Sequence, residues 1–502
     1  MKPSIIKISE SHNFEGCVLV YGHFNSIHPG HIRYLRHAKE QGDKLIVALL
    51  ADKFLGKENA YEFSQKERAE SLSMIELVDG IVLLNNEKDY LVRAINNIKP
   101  KILVLGNEFE GTNDKEVIAA IKFLRNDGKT VQFHAGEIID ESTELLNSSE
   151  QDLITKRRFQ FQSACKRQKL NLNDLLLSME SWKNTRLIVL GDSIVDQYSA
   201  CKAIGMSAEA PVVVVKELQN RNFIGGAAVI ASHIRALGAQ CDFLSVVGQD
   251  TTSEIIREEL NKREIGSHLI IDKSRPTTFK KRYIVGNQKL FRVSRLEDHN
   301  VDKEIENQII ELLEKLVPLA HGIILSDFVY GVITPRILEK VYSLSNKYGV
   351  LLFGDVQCSS QIGSITKFKD FSLLCPNERE ARLALLDKDS GLELLSNKLI
   401  AKTNCSKLIM KLGSDGFIAY DRSIKGSISS QSFPALSVNP VDVAGAGDSL
   451  LAVMATGLSS KQSIMETAAL ACCMTSLAVE LMGNSPIQAD KLKVSIRKNL
   501  SK

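Results

Sequence analysis

The chain has 502 residues, more than one small domain holds at about 150 residues each, so two or three domains are expected. Apolar residues make up 44%, charged residues 25% and aromatics 6%, which excludes a disordered or collagenous chain and provides for a large core. The 63 Lys and Arg against 60 Asp and Glu leave a net charge of +3, which gives no reason to expect a nucleic-acid or membrane partner.

The opening MKPSIIKISESHNFEG has no long apolar segment of the signal-peptide kind, and no uninterrupted apolar run nears the roughly 18 residues of a membrane helix. Nine cysteines are scattered without a C-x-x-C pair, and Cys472 and Cys473 lie in an Ala-rich helical pattern that reads as core. A reduced, cytoplasmic setting is expected.

From Cys17 short apolar runs alternate with helical patterns: CVLVYG, a helix from about His31 to Gln41, LIVALLAD, a helix around Ser64 to Leu77, GIVLLN, a helix near Tyr90 to Asn97, ILVLG and finally VQFHAG. Continuous β-branched strands separated by amphipathic helices predict a parallel sheet covered on both faces, an α/β domain over residues 1–146. Residues 147–183 break the rhythm and are expected to be a connector: a loop, the basic run TKRRFQFQSACKRQKL, and a helix with Asn171 or Asn173 as N-cap. The basic run reads as a solvated helix face, with phosphate binding as the alternative.

A second α/β pattern fills 184–502, with strand-like runs in LIVLGDSIVD, PVVVV, CDFLSVVG, GIILSDF, GVLLFGD and KLIMKLG before a long Ala-rich helical end. TTFKKRYIVGNQKLFRVSRL alternates around the turn GNQ and predicts a hairpin outside the main sheet, of the kind that serves as a lid or a dimer surface.

The first strand leads into YGHFNSIHPGHIRYL, where His28 and His31 flank Pro29 and Gly30 at the opening of a helix. Backbone N–H groups there attract phosphate, and two imidazoles can donate to an α-phosphate and a departing pyrophosphate, while Gly30 permits close approach. Strand, G-x-F-x-x-x-H-x-G-H and helix together resemble the nucleotidyltransferase family that includes glycerol-3-phosphate cytidylyltransferases and sugar-phosphate adenylyltransferases. The resemblance implies a Rossmann-like domain, with nucleotide contacts at Gly22, Phe24, Gly30, Asp52, Lys57 and Arg68 and with His28 and His31 as catalytic groups. Ser142 and Thr143 match a late phosphate-approaching segment of that family, and an N-terminal helix cap explains them equally well. Asn25 stands where the family has Asp.

Near the other end, NPVDVAGAGDSLLAVMATGL is a Gly-rich turn opening a small-residue helix. Gly445, Ala446 and Gly447 can turn several backbone N–H groups toward one anion, an anion hole for a transferring phosphoryl group, with Asp448 beside it to accept a hydroxyl proton. Together with GDSIVD, IGGAAVIASHIRALG and CPNERE, in that order, this motif resembles the ribokinase-type sugar kinases. That resemblance implies sugar contacts at Asp192, Asp196, Gly225 and Gly226, a magnesium link at Asn377 and Glu380, and a segment beside the nucleotide at Lys411, Gly413 and Gly416.

SAEAPVVVVKEL after GDSIVDQY narrows the resemblance to the kinase half of the bifunctional heptose 7-phosphate kinase/heptose 1-phosphate adenylyltransferases, which carry both kinds of domain in the reverse order. Val229 replaces a sugar-contacting Asn, and Asp355, Val356 and Gln357 replace Asp-Pro-Lys, so an amide and a cation are lost. Lys280, Arg282 and Arg292 of the hairpin are the candidates to supply charge to a sugar phosphate, solvated strand-edge charges being the alternative. The resemblance implies ATP and Mg2+, and possibly CTP, a sugar phosphate as substrate, and a homo-oligomer. The expected product is a nucleotide-activated sugar. Alternatives are the same architecture acting on another sugar or polyol phosphate with CTP, or one domain as a silent binding module.

Overall fold

A computed structural model describes residues 3–24, 27, 29–52, 63–85, 87–106, 109, 112, 114–133, 150–286, 288–357, 363–424 and 427–501. Two compact units emerge, one of residues 1–143 with 385–398 and the other of 144–384 with 399–502.

In the first unit six strands form, β1 (Ser4–Lys7), β2 (Val18–Gly22), β3 (Leu45–Leu49), β4 (Gly80–Leu83), β5 (Ile102–Val104) and β6 (Thr130–Gln132), of which the apolar runs β2, β3 and β4 are buried on both faces and the edge strands β1 and β6 are not. All pair in parallel, in the order β1-β4-β3-β2-β5-β6. Strand side chains alternate between faces, and so Val18 and Val20 join one apolar cluster while Leu19 and Tyr21 join the other. The helices are α1 (Pro29–Lys39), α2 (Gln65–Ser73), α3 (Tyr90–Ile98) and α4 (Lys115–Asn126). The start of α2 is fixed by a capping box between Ser64 and Glu67, and that of α4 by the Asp114 side chain. The chain runs from β2 to β3 on one side and later returns to β5 on the other, which opens a crevice at the carboxyl end of β2.

The second unit holds β7 (Arg186–Gly191), β8 (Ser193–Met206), β9 (Val213–Gly226), β10 (Gln240–Val247), β11 (Gly266–Ile271), β12 (Thr278–Val285), β13 (Gln288–Arg295), β14 (Gly322–Asp327), β15 (Leu351–Val356), β16 (Leu373–Leu374), β17 (Lys407–Lys411), β18 (Phe417–Ile424) and β19 (Ser427–Phe433). Nine of these form the main sheet, β11-β10-β7-β14-β15-β16-β17-β18-β19, parallel as far as β17 and antiparallel beyond it. The expected hairpin is present as β12 and β13, but it is only half of a separate four-stranded sheet, β13-β12-β8-β9. This is the lid.

The connector residues from Glu150 onward form two helices, Glu150–Arg167 and Leu172–Glu180, whose apolar side belongs to the core of the second unit. Phe161, Cys165, Leu175 and Trp182 share one cluster with the helices Ala446–Ser459 and Ile464–Val479, where Cys472 and Cys473 are buried as expected. Asn171 is the N-cap. The basic run is largely the solvated face expected of it, with Lys156, Lys166, Arg167 and Lys169 exposed, but Arg157 donates to the Ser437 carbonyl (2.6 Å) and Arg158 to that of Ser501 (2.6 Å). Trp182 is fully buried and donates to Gln462 (3.2 Å). Trp182→Ala should therefore destabilise the second unit by about 3–5 kcal/mol, read as an earlier transition in denaturant titration of the full chain.

Candidate functional site

In the first unit, β2 ends at Gly22 and the chain turns at once. Phe24 takes a left-handed backbone (φ 49°) and folds its ring back over the strand end, where a Cβ on Gly22 would lie 3.1 Å from the ring. Phe24 is buried, packs on Tyr34 (6.2 Å between centroids) and lies against the His31 imidazole at 5.0 Å. Its part is thus to orient His31, which stands with Gly30 in the first turn of α1. His28, Lys57, Ser142 and Thr143, and Asn25 with them, lie outside the described residues.

Arg68, expected to contact nucleotide, has a side chain with no exposed surface. It donates to the carbonyls of His23, Leu50 (2.8 Å) and Phe63 (3.2 Å) and pairs with the half-exposed Asp52 at 2.8 Å. This corrects the expectation: the guanidinium is committed to tying the loops after β2 and β3 together, so Arg68 positions the crevice. Burial first and the Arg68 charge second lower the His23 pKa and so favour its neutral imidazole.

In the second unit the carboxylates gather at the carboxyl ends of the parallel strands. Asp192, just beyond β7, is buried; its Oδ2 accepts the Phe328 N–H (2.8 Å), the Tyr330 N–H also favours its charge, and its Oδ1 is buried with no hydrogen-bond partner within normal bonding geometry among the described residues. Burial, with the nearby Asp327 charge second, raises the Asp192 carboxyl to about 7. Asp327 is itself held by Lys367 and by the Val329 N–H (2.8 Å). An orphaned acceptor there suits a substrate hydroxyl.

Asp196 on β8 is paired with Arg282 of β12. Its Oδ2 packs on Gly225, where a Cβ would come within 2.5 Å, and Gly226 (φ 63°) turns the chain into the helix Ala227–Ala236 within reach of the Asp192 carbonyl. Val229 is buried in that helix. Of the three hairpin cations expected to meet a sugar phosphate, Arg292 is exposed and Arg282 is committed to Asp196. Lys280 is 3% exposed, its ammonium lies 5.5 and 5.2 Å from the Phe328 and Tyr330 rings, and it makes no ion pair among the described residues.

The glycine nest opens the helix Ala446–Ser459. Gly445 has φ 76°, and a Cβ there would meet the Asn484 Oδ1 at 2.2 Å, so only glycine fits. Asp448 lies buried in the first turn and accepts from Gln357 Nε2 at 3.1 Å. Burial, then the Asp355 charge, raises its carboxyl to about 7, and Lys411 opposes this; the Asp196 charge is also felt there. Asn377 and Glu380 bond each other's backbone N–H at 2.8 Å, a reciprocal cap. Gly413 and Gly416 have φ of 63° and 93°, and a Cβ on Gly416 would lie 2.1 Å from the Phe433 carbonyl, so these two glycines serve the turn between β17 and β18.

Sequence reasoning missed Asp442, although it opens the D-x-A-G-A-G-D motif. Its buried carboxylate accepts from Tyr198 of β8 (2.7 Å), from Lys289 of β13 (3.0 Å) and from the Ala444 N–H (3.1 Å), so two lid strands meet the nest at one side chain.

The chain belongs to the pfkB family of carbohydrate kinases, whose family model matches residues 184–490. Residues 19–144 match the model described as cytidylyltransferase-like. Among curated relatives, the bifunctional protein HldE of Campylobacter jejuni subsp. doylei is 29% identical over 321 residues, 63% of this chain and 66% of that protein. HldE of Helicobacter hepaticus is 31% identical over 319 residues, 62% and 63% of the two chains. The matches thus span just under two thirds of those relatives. Phosphofructokinase-2 of Escherichia coli shares the fold, with a TM-score of 0.52 at 14% identity over 63% of this chain and 99% of that one.

Arg68→Met should leave backbone carbonyls of two loops unmet and destabilise the first unit by about 2–4 kcal/mol. Calorimetry of the full chain should show one transition lowered and the other kept.

Proposed function

We propose that the chain makes a nucleotide-activated sugar in two consecutive steps in the cytoplasm, with domains at 1–146 and 184–502 and the helices between them serving the second. The second unit phosphorylates the anomeric hydroxyl of a sugar phosphate, heptose 7-phosphate first among candidates, with ATP. The first unit then joins the resulting 1-phosphate to a nucleotide. The observation that carries the kinase step is Asp448, a buried carboxylate against the glycine nest and within the field of the sugar-side Asp196.

In the kinase step the sugar oxygen attacks the terminal phosphorus of ATP, the bond to the β,γ-bridging oxygen breaks, and the hydroxyl proton passes to Asp448. A carboxyl raised to about 7 is a stronger base than an ordinary aspartate, and about half of it is ionised at pH 7. The nest N–H groups meet the charge on the transferring group. Asp192, with one oxygen unmet, orients the sugar, and Lys280 supplies a cation for its phosphate. In the second step a phosphate oxygen attacks the α-phosphorus of the triphosphate and pyrophosphate leaves, with His31 and His28 meeting the charge.

The described residues hold no group of three or more His, Cys, Asp and Glu able to cage a metal. Asn377 and Glu380, whose cap engages one oxygen of each, would hold a magnesium brought with ATP, and the ion would neutralise charge on the phosphate chain. The cytidylyltransferase-like match favours CTP as the second nucleotide to be tried beside ATP. A homo-oligomer is supported by the apolar side chains that the lid exposes, among them Ile204, Met206, Val213, Leu218 and Val293.

Incubation of the full chain with ATP, CTP, magnesium and a panel of sugar phosphates, followed by mass spectrometry, should yield a nucleotide sugar and pyrophosphate. Absence of nucleotide product from every supplied sugar 1-phosphate would remove the nucleotidyl-transfer step of the first unit, and absence of any bisphosphate would remove the phosphorylation step of the second.

The pH profile follows from the raised carboxyl: only the ionised base works, so kcat/KM for phosphorylation should fall about tenfold per unit below pH 7 and level off above it. Asp448→Asn should abolish ADP formation and keep ATP binding; unchanged turnover would eliminate the base.

A further inference from the structure

Phosphorylation of a sugar phosphate yields a sugar with a phosphate at each end, and the first unit must either accept the second phosphate or wait for its removal. The cleft that would meet it lies at the carboxyl ends of β1, β3 and β4. It encloses about 530 Å³, with polar walls from Lys7, Ser9, Asp52, Gln65, Asn85 and Arg93. Gln65 braces it by donating to the carbonyls of Leu49 (3.0 Å) and Leu84 (2.9 Å), one at the end of β3 and one just past β4. Asp52 links it to the crevice at β2, because the Arg68 that pairs with Asp52 also holds the His23 carbonyl just beyond that strand.

The far wall of the cleft is this chain's own addition. The cytidylyltransferase-like match covers residues 19–144, so β1 and the turn after it lie outside that family's domain. β1 joins the sheet beside β4 with Lys7 opposite Leu83. The turn is fastened through the Ile8 carbonyl, which accepts from Ser11 Oγ (2.6 Å) and from Asn97 of α3 (3.1 Å). Among the described residues of 1–143 the ion pairs are Lys39–Asp79, Arg68–Asp52 and Arg93–Glu87, and Lys7 is in none of them. The Arg93–Glu87 pair is exposed and therefore weak, so a phosphate dianion competes well for the guanidinium. Adjacent strands stand about 4.8 Å apart, which places β4 about 10 Å and β1 about 14 Å from β2. A hexose or heptose with a phosphate at each end spans a distance of that order.

We propose that Lys7 and Arg93 hold the distal phosphate of a sugar bisphosphate, so that the first unit takes the product of the second unit directly. This rests on the reading of the first unit as a nucleotidyltransferase. An oxygen of the 1-phosphate bonds to the α-phosphorus of the triphosphate, the bond to the α,β-bridging oxygen breaks, and pyrophosphate leaves with the electron pair. The distal phosphate is untouched and stays on the nucleotide sugar. A phosphomonoesterase acting on this sugar then belongs after nucleotidyl transfer and not between the two steps.

The test is pyrophosphate release by the full chain, a product the kinase step does not make, with ATP or CTP and paired acceptors. The pairs are heptose 1-phosphate with heptose 1,7-bisphosphate, and glucose 1-phosphate with glucose 1,6-bisphosphate. For at least one pair kcat/KM should favour the bisphosphate by about tenfold or more. Lys7→Met and Arg93→Met should each raise KM for that bisphosphate roughly 5- to 10-fold and leave its monophosphate within about twofold. Lys7→Arg, which keeps the charge, should keep the preference. Equal or better use of the monophosphates, or variants that lower both acceptors alike, would reduce Lys7 and Arg93 to solvated charges and overturn the proposal with the nucleotidyltransferase reading intact. No pyrophosphate from any of the four acceptors would overturn both.

Discussion

Negative charge held out of water is the constraint around which the second unit is arranged. Because β7, β14 and β15 are adjacent and parallel, their carboxyl ends fall on one edge about 4.8 Å apart. Asp192, Asp327 and Asp355 are buried there, and Asp448 is brought to them from the helix that starts at Ala446. Each is accommodated by different means: Asp192 by a backbone N–H and a high proton affinity, Asp327 by Lys367, Asp355 by Lys411, and Asp448 by Gln357. An unmatched buried carboxylate costs several kcal/mol, so these partners are part of the fold before they are part of any chemistry.

The first unit meets a related problem at a single strand end. There the chain must leave β2 sharply enough to open a helix toward a ligand, and Gly22, the left-handed Phe24 and the fully enclosed Arg68 share that task. One guanidinium fastens backbone carbonyls from three loop positions, where the second unit uses a separate partner for each carboxylate.

Much of this was legible in the residues. The apolar runs fixed the parallel strands of both units because a strand buried on two faces needs no alternation, and the Gly-rich turn with Asp448 announced an anion site. What escaped had physical reasons. β1 is a four-residue edge strand with mostly exposed side chains, so its composition carries little signal. β8 and β9 run 14 residues each and leave the main sheet to build the lid, and most of β9 is exposed, which hides it from a reading based on burial. The helix Lys115–Asn126 carries Val117, Ala120 and Leu124 at helical spacing between two runs that were recognised, and it completes their rhythm. The basic helix Glu150–Arg167 reads as solvated from its charge, and two of its arginines, Arg157 and Arg158, nonetheless end on backbone carbonyls. Arg68 and Asp442 show the general limit: residue type reveals that a charge is present, and only the fold reveals whether it faces a ligand or the chain itself.

The junction at Asp442 has a thermodynamic consequence. Swinging the lid away withdraws the Tyr198 hydroxyl from a buried carboxylate, and a hydrogen bond to a charged group is worth about 1.5–3 kcal/mol. That bond alone weights the arrangement in which β8 is packed against the nest by roughly tenfold to a hundredfold over one in which the two are parted.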